Sequence, residues 1–445
     1  MALKGRSWLF LFLVVVSGGS VRAQDSIPHG LYSFSLSDVI RIAGNQNKRV
    51  KAAREEEKAS AFELQDAKDA MLPSLAADGN YQRYTKVTLF QEGLSNAHAI
   101  SRPPDPNSAS VVTQAGFLVY GGGRLRKNIE EKELRGQLAS VNTGDEAGQS
   151  ATQAVLLYLQ MIGLYRQDSL FAEQIRRAEL RVKNIRSLYE NERVTKSDLL
   201  RAEVDLSTQQ LNREQTENDI VIARDKLGVQ LDLPPSTRIV LTDTALQLPA
   251  PAELPGEYQP DGSNTPHVLQ RYGKLLQLQE NRIDQVRSQY YPTVQLYSGY
   301  GLNYPNLNFF PPINQWWAAG FVGVMVHYDI SSLYKTHNKV AAARQQYESL
   351  HIQRDYLVDN INEEIRSLSL KYKESLDRIE VARKSIEQAA ANLRILNAKY
   401  YNQLALLTDL LDADNLYTES ALRLVRAQTD AMGYYYRLLY ATGRL

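Results

Sequence analysis

Two stretches of this chain carry one phrase. Residues 189–203 read YENERVTKSDLLRAE and residues 400–414 read YYNQLALLTDLLDAD, so Tyr, Asn, Asp, Leu, Leu and Ala recur in the same order 211 positions apart. A repeat of this period constrains the fold more than any local signal, because both copies must form the same supersecondary unit. The likeness extends beyond the phrase. LQDAKDAMLPSLAADGNYQ (64–82) matches IDQVRSQYYPTVQLYSGYG (283–301), with Pro73 answering Pro292 at a spacing of 219. FLVYGGGRLRKN (117–128) loosely matches MVHYDISSLYKTHN (325–338), with Tyr120 answering Tyr328 at 208. The expected organisation is a first structural repeat over 24–235, a joining segment 236–266 and a second repeat over 267–445, the two forming one composite domain.

Residues 1–23 read as a secretory signal peptide. Lys4 and Arg6 precede nine apolar residues, Trp8 to Val16, and SGGSVRAQ places Val21 and Ala23 for cleavage after Ala23. The run is too short to cross a membrane. Loss of Lys4, Arg6 and Arg22 with the signal takes the 51 basic residues to 48, against 50 acidic ones. A net charge of −2 offers no electrostatic attraction to nucleic acid. The absence of cysteine excludes disulfides, thiolate metal sites and an N-terminal lipid anchor. No mature stretch supplies the roughly 18 uncharged apolar residues of a membrane helix. If the mature chain spans a membrane, it does so as a β-barrel.

Proline placement outlines the helices. All sixteen prolines lie outside 107–233 and 313–445. Proline breaks helix interiors, so the two blocks are candidates for very long helices. Gly136, Gly144, Gly148 and Gly163 are expected bend points in the first block. Phe171, Ile175, Ala178, Val182, Ile185 and Tyr189 form one apolar row at 3-4 spacing, and Ile379, Ala382, Ile386, Ala389, Leu393, Leu396 and Tyr400 form another. Such rows mark helices packed side by side as in coiled coils. The repeated phrase interrupts both rows and reads as the reversal of each helix. Ser197–Asp198 and Thr408–Asp409 are the expected N-caps of the returning helices.

Strand signals sit at the other end of each unit. Leu75, Ala77, Gly79 and Tyr81 alternate with Ser74, Asp78, Asn80 and Gln82, and Val294, Leu296, Tyr300, Leu302 and Tyr304 alternate with Thr293, Gln295, Gly299 and Asn303. One polar and one apolar face is the pattern of a membrane barrel strand. Residues 109–120 and 316–328 are strand-like partners whose alternation assigns no face. Tyr304, Phe309, Phe310, Trp316 and Trp317 suit a membrane-interface belt. Single-chain outer-membrane barrels need at least about eight strands, whereas this chain supplies four. An open edge in lipid is forbidden, so the chain must share its barrel with copies of itself. Counting alone leaves two and three copies open.

The doubled Tyr–Asp-Leu-Leu phrase, QDAKDAMLPSL (65–75) leading into a strand, the closing LLYATG (438–443) and the duplication itself resemble the TolC family of outer-membrane efflux proteins, over nearly all of the mature chain. The resemblance implies a mixed α/β membrane protein: a homotrimer with a 12-stranded β-barrel in outer-membrane lipid, four strands per chain, continued by a long α-helical coiled-coil barrel across the periplasm. It implies a passive duct of a tripartite efflux or type I secretion system, working with a periplasmic adaptor (membrane fusion) protein and an inner-membrane pump of RND or ABC type. It implies no cofactor. Matched by position, Asp409 and Asp412 fall at the family's periplasmic aperture, where rings of carboxylates favour cations. The adaptor-contacting tips fall at Glu192, Arg193 and Val194 and at Gln403, Leu404, Ala405, Leu406 and Leu407. The chain departs from the family pattern where Glu192 and Gln403 replace a turn glycine and Ala405 replaces an arginine that helps hold the channel shut. The joining segment is expected either in an equatorial belt or as a plain linker.

Enzymatic signatures are missing. The six histidines are scattered without an H-E-x-x-H, Gly121-Gly122-Gly123 lacks a following G-K-[ST], and no G-x-S-x-G occurs. The glycine triplet reads as a strand-to-helix bend, and REEEK (54–58) as a solvated helix face. The competing reading is a structural or adhesive trimeric coiled-coil protein of the envelope without a transport path. Two hairpins with polar inner faces have no use in such a stalk.

Overall fold

The computed structural model describes residues 31–85, 88–90, 93, 95, 97–99, 105–235, 237–243, 248, 265–305 and 313–445. The signal peptide, Phe309, Phe310 and most of the joining segment lie outside the described residues. In chain order the elements are β1 (Leu31–Phe34), α1 (Leu36–Gln46), α2 (Lys48–Asp69), β2 (Ser74–Arg83), β3 (Thr88–Phe90), β4 (Ala97–Ala99), β5 (Asn107–Tyr120), α3 (Arg124–Glu190), α4 (Lys196–Gln230), β6 (Arg238–Leu241), α5 (His267–Arg287), β7 (Thr293–Tyr304), β8 (Trp317–His327), α6 (Ser332–Tyr401) and α7 (Leu407–Ala441). From α2 and from α5 onward the same succession runs: helix, strand pair, long helix, shorter return helix. Between β2 and β5 the short strands β3 and β4 pair with each other, and β5 begins at Asn107.

The long helices α3 and α6 contain 67 and 70 residues. At ~1.5 Å rise per residue each reaches roughly 100 Å. The expected bends at the α3 glycines do not occur; the helix is unbroken from Arg124 to Glu190. Two of those glycines instead admit close neighbours. A Cβ on Gly144 would lie 2.9 Å from the His267 ring, and one on Gly148 would lie 3.2 Å from the Tyr440 ring. The return helices α4 and α7, 35 residues each, accompany only the distal halves of α3 and α6. The proximal halves are accompanied by α2 and α5.

The helix ends that meet are built alike. Asp232, at φ 54°, ends α4, and Leu233 N donates to Gly228 O at 2.9 Å. Asn47 Nδ2 caps Gln230 O at 2.9 Å, and Lys51 Nζ reaches Asp232 at 2.7 Å, so α2 starts where α4 stops. Gly443, at φ 68° and again 211 positions on, ends α7 beside Thr265 and Pro266, where α5 begins. Both ends are Schellman motifs, in which a left-handed residue lets the last amide reach back five positions. The principal core lies at this level: Val39 and Ala43 of α1, Val155, Tyr158 and Ile162 of α3, Leu227 and Leu231 at the end of α4, and Ile239 of β6. Above it β1 and β6 form a two-stranded parallel sheet.

The four long strands form one antiparallel sheet in the order β2-β5-β7-β8, with β2 and β8 as its edges. Its register assigns the faces that alternation leaves open. Leu75 pairs with Ala115, Ala115 with Ser298 and Ser298 with Val322; Gly79 pairs with Val111, Val111 with Leu302 and Leu302 with Ala318. One face therefore carries Leu75, Tyr81, Val111, Phe117, Leu296, Tyr300, Leu302, Val322, Val324 and Val326, nearly all well exposed. The other carries Ser74, Asp78, Asn80 and Gln82, then Ser110 and Gln114, then Gln295 and Asn303. The polar character fades on β8, where Phe321 and Met325 lie on that second face. Asn303 pairs with Trp317, so Trp317 sits opposite the apolar face and not in the expected aromatic belt. Tyr304 and Trp316 stay together, their rings 5.5 Å apart.

Candidate functional site

The far end of the helical hairpins gathers the repeated phrase. Each long helix ends in a Schellman motif: Arg193 N donates to Leu188 O at 2.9 Å, and Leu404 N donates to Lys399 O at 2.8 Å. The left-handed position is Glu192 (φ 56°) in one tip and Gln403 (φ 61°) in the other. Neither is glycine, and an L-residue there is strained by roughly 1–2 kcal/mol. The repeated asparagines cap the outgoing helices. Asn191 Nδ2 donates to Ser187 O at 2.7 Å, and Asn402 Nδ2 donates to Ala398 O at 2.8 Å.

The repeated aspartates start the return helices, but not as N-caps. The N-cap of α4 is Thr195, whose hydroxyl accepts from Asp198 N at 3.2 Å while the Asp198 carboxylate accepts from Thr195 N at 3.1 Å. This is a capping box, with the acid at the third helical position. In the second copy Leu406 occupies the cap and only the returning half survives: Asp409 Oδ2 accepts from Leu406 N at 3.1 Å. The expectation of Ser197–Asp198 and Thr408–Asp409 as the caps is thus off by two to three positions.

The two aspartates expected at an aperture, Asp409 and Asp412, are solvent-exposed, one turn apart, on a face of α7 continued by exposed Leu416 and Glu419. The tips differ in chemistry. Glu192 and Arg193 are exposed in the first, with Val194 half-buried; Leu404 and Leu406 are 75% and 70% exposed in the second, around half-buried Ala405. Leu407 does not belong with them. It is buried with Val182, Ile185, Ala202, Tyr400, Leu410 and Leu411 in the core that joins the two hairpins, and cannot meet a partner.

Above that core lies a buried charge network that the apolar rows conceal. The Asp414 carboxylate accepts from Arg181 and, at 2.8 Å, from Arg177 Nη2. Arg181 Nη1 also reaches Asp205 Oδ2 at 3.0 Å. Arg181 and Asp414 are 5% and 1% exposed, so the pairing occurs in a low-dielectric setting. Burial pushes the Asp205 carboxyl up, against the pull of Arg181. Three helices meet here: Arg177 and Arg181 come from α3, Asp205 from α4 and Asp414 from α7. Gln174 Nε2 to Asn415 Oδ1 (3.1 Å) and Arg166 Nη1 to Gln428 Oε1 (2.7 Å) continue the α3–α7 seam. One sequence signal pointed to it. Gln167, Gln174 and Arg181 repeat every seven residues beside the apolar row, a polar line where a lone coiled coil would be solvated.

The hairpins stand in the order α4-α3-α7-α6, since α3 touches α4 and α7, and α7 touches α6. Their open flanks, α4 and α6, carry unpartnered apolar residues along their length: Leu200, Val204, Leu211, Ile222 and Val229 on α4, and Ile352, Tyr356, Leu370, Val381 and Ile395 on α6. The sheet, with open edges β2 and β8, is incomplete in the same sense. No described helix is long and apolar enough to cross a membrane.

No family model and no curated protein matches the chain. Solved structures do. The Campylobacter jejuni CmeC outer membrane channel superposes with a TM-score of 0.77 at 13% identity, over 92% of this chain and 85% of that one. The Vibrio cholerae outer membrane protein VceC gives 0.74 at 16% identity, over 92% and 96%. The open state of the Neisseria gonorrhoeae MtrE outer membrane channel gives 0.68 at 15% identity, over 92% and 88%. The chain has the fold of these outer-membrane proteins.

Proposed function

We propose that this chain is a TolC-family export duct, built from three copies that share one barrel in the outer membrane and one helical tunnel below it. The observation that carries the reading is the pair of matched open flanks. A four-stranded sheet with one apolar face and two bare edges cannot sit in lipid alone. Beneath it, the two outer helices present apolar stripes that no described residue covers. The β2 edge meeting β8 of a neighbour, and α4 meeting α6 of the same neighbour, is a heterologous contact that closes into a ring. Three copies supply twelve strands, a lumen wider than the side-chain-filled interior of an eight-stranded barrel.

The helices then reach roughly 100 Å from the sheet, the span of a conduit that meets its partners at the far end. The tips supply that contact. Exposed Leu404 and Leu406 suit an apolar socket on a periplasmic adaptor, with Glu192 and Arg193 at its polar rim. Asp409 and Asp412 line the aperture between the tips, and an inner-membrane pump of RND or ABC type supplies the energy the duct lacks. Residues 1–23 direct the chain to export and are cleaved. Purified protein in planar bilayers tests the reading. Discrete single-channel conductance, larger when Asp409 and Asp412 are both changed to Ala, is expected. An adhesive stalk would conduct in neither form, and that result would overturn the proposal.

A further inference from the structure

The register of the sheet permits a complete reading of the charge on its polar face. Among the described strand residues of that face, β2 contributes Ser74, Ala76, Asp78, Asn80 and Gln82. The face then runs through β5, β7 and β8 without a lysine, an arginine or a second carboxylate; His327, at the helical end of β8, is its one other titratable group besides Tyr297. Asp78 is thus the single fixed charge there. It is exposed and has no ion-pair partner among the described residues.

Its surroundings leave it uncovered. Asp78 pairs with Val112, Val112 with Gly301 and Gly301 with Ala319, so small side chains occupy its level around the wall. One layer toward the helices, Ala76, Gln114, Gly299 and Phe321 share a level. Phe321 lies against Gly299, where a Cβ would be 2.8 Å from the ring, and Tyr297 lies against Gly323 in the same way. The two rings are 5.7 Å apart and tilted 59° to each other on this face.

We propose that Asp78 sets the charge preference of the membrane-embedded segment, making it selective for cationic solutes independently of the aspartates at the periplasmic tips. The inference rests on the duct reading above. Three copies place three carboxylates at one level. A twelve-stranded barrel with strands ~4.8 Å apart and tilted about 40° has a backbone radius of roughly 12 Å. Side chains narrow the water-filled part further, so its axis lies within the ~10 Å Debye length at 0.1 M salt. No positive side chain on the described wall opposes the field.

The native chain has no cysteine, so one introduced thiol reports alone. Asn80→Cys places it on the same strand face as Asp78, about 7 Å further along. The full-length protein in outer-membrane vesicles is treated with cationic and anionic methanethiosulfonate reagents of equal size. Relative to a free thiol, the cationic reagent is expected to react at least about threefold faster at 0.1 M salt, the excess disappearing near 1 M. Adding Asp78→Asn should bring the ratio to that of the free thiol, and Asp78→Lys should invert it. A ratio unchanged by both substitutions overturns the inference. Ala77→Cys, on the apolar face, should resist both reagents. If Ala77→Cys is labelled and Asn80→Cys is not, the face assignment falls, and the duct reading and this inference fall with it.

Discussion

Replacing Asp414 by Asn perturbs the structure at a single pair of oxygens. The carboxylate holds Arg181 and Arg177, and its residue is 1% exposed. The amide keeps the shape and removes the charge. Arg177 has a second acid within reach, Glu173 at 3.5 Å on its own helix, and its side chain is 25% exposed. Arg181 has only Asp205, which then faces it in a site that already disfavours ionised carboxylate. Leaving a buried charge without its partner costs about 3–5 kcal/mol. The loss falls on the contact of α7 with α3 and α4, close to the helix tips. Amide exchange over residues 407–420 of the detergent-solubilised assembly should therefore quicken by about 100-fold or more, at ~1.4 kcal/mol per decade. The paired change Arg181→Met with Asp414→Leu removes both charges and should restore most of the protection, because apolar replacement of a whole buried ion pair is often neutral. Exchange within about threefold of wild type in Asp414→Asn would refute the reasoning. So would a paired variant as exchange-prone as the single one.

Other expectations follow from the tips and joints. Glu192→Gly and Gln403→Gly relieve left-handed strain against a more flexible unfolded chain, and each should stabilise its tip by about 0.5–1 kcal/mol, read as slower exchange of the Arg193 and Leu404 amides. Leu406→Glu should weaken capture of the cognate periplasmic adaptor in a pull-down while the melting temperature holds. Leu407→Ala, by contrast, should cost the tip about 2–4 kcal/mol, visible as faster exchange across 407–411. Asp232 is held below the usual carboxylate range by Lys51, and more weakly by Lys48. Its contribution to the α4–α2 joint is present above the unfolded carboxyl value and is lost as pH falls through the lower folded one. Exchange at the joint should rise on acidification below about pH 4 by the equivalent of under 1 kcal/mol, and Lys51→Met should remove that dependence.

The sequence made the long-range plan legible because the plan is written in periodicities. Proline-free blocks and 3-4 rows announced the two very long helices α3 and α6, and Pro73 and Pro292 stand just before the strands β2 and β7. The doubled phrase turned out to be a list of backbone tasks: Asn191 and Asn402 cap carbonyls, Glu192 and Gln403 take the left-handed turn, and Asp198 and Asp409 reach back to the cap. Placing the caps at Ser197–Asp198 and Thr408–Asp409 takes the acid for the cap itself, when its length suits the third position. Three features were hidden for a physical reason. The α3 glycines look like breaks in one dimension, but they are clearances for His267 and Tyr440 in three. Leu407 looks like part of an exposed apolar run until the helix starts at it and turns it inward. The Arg177–Arg181–Asp205–Asp414 network joins residues more than 200 positions apart, and only packing brings them together. The faces of β5 and β8 came from register, since small residues such as Ala115, Gly320 and Gly323 blur the alternation of the strands.

Sharing of one barrel between copies is the claim from which the duct, the aperture and the lumen charge all descend. The mass of the intact assembly in mild detergent tests it most directly. Three chains per particle, dissociating only with loss of the sheet, is the expected result. A particle containing a single folded chain, stable without detergent, would contradict it.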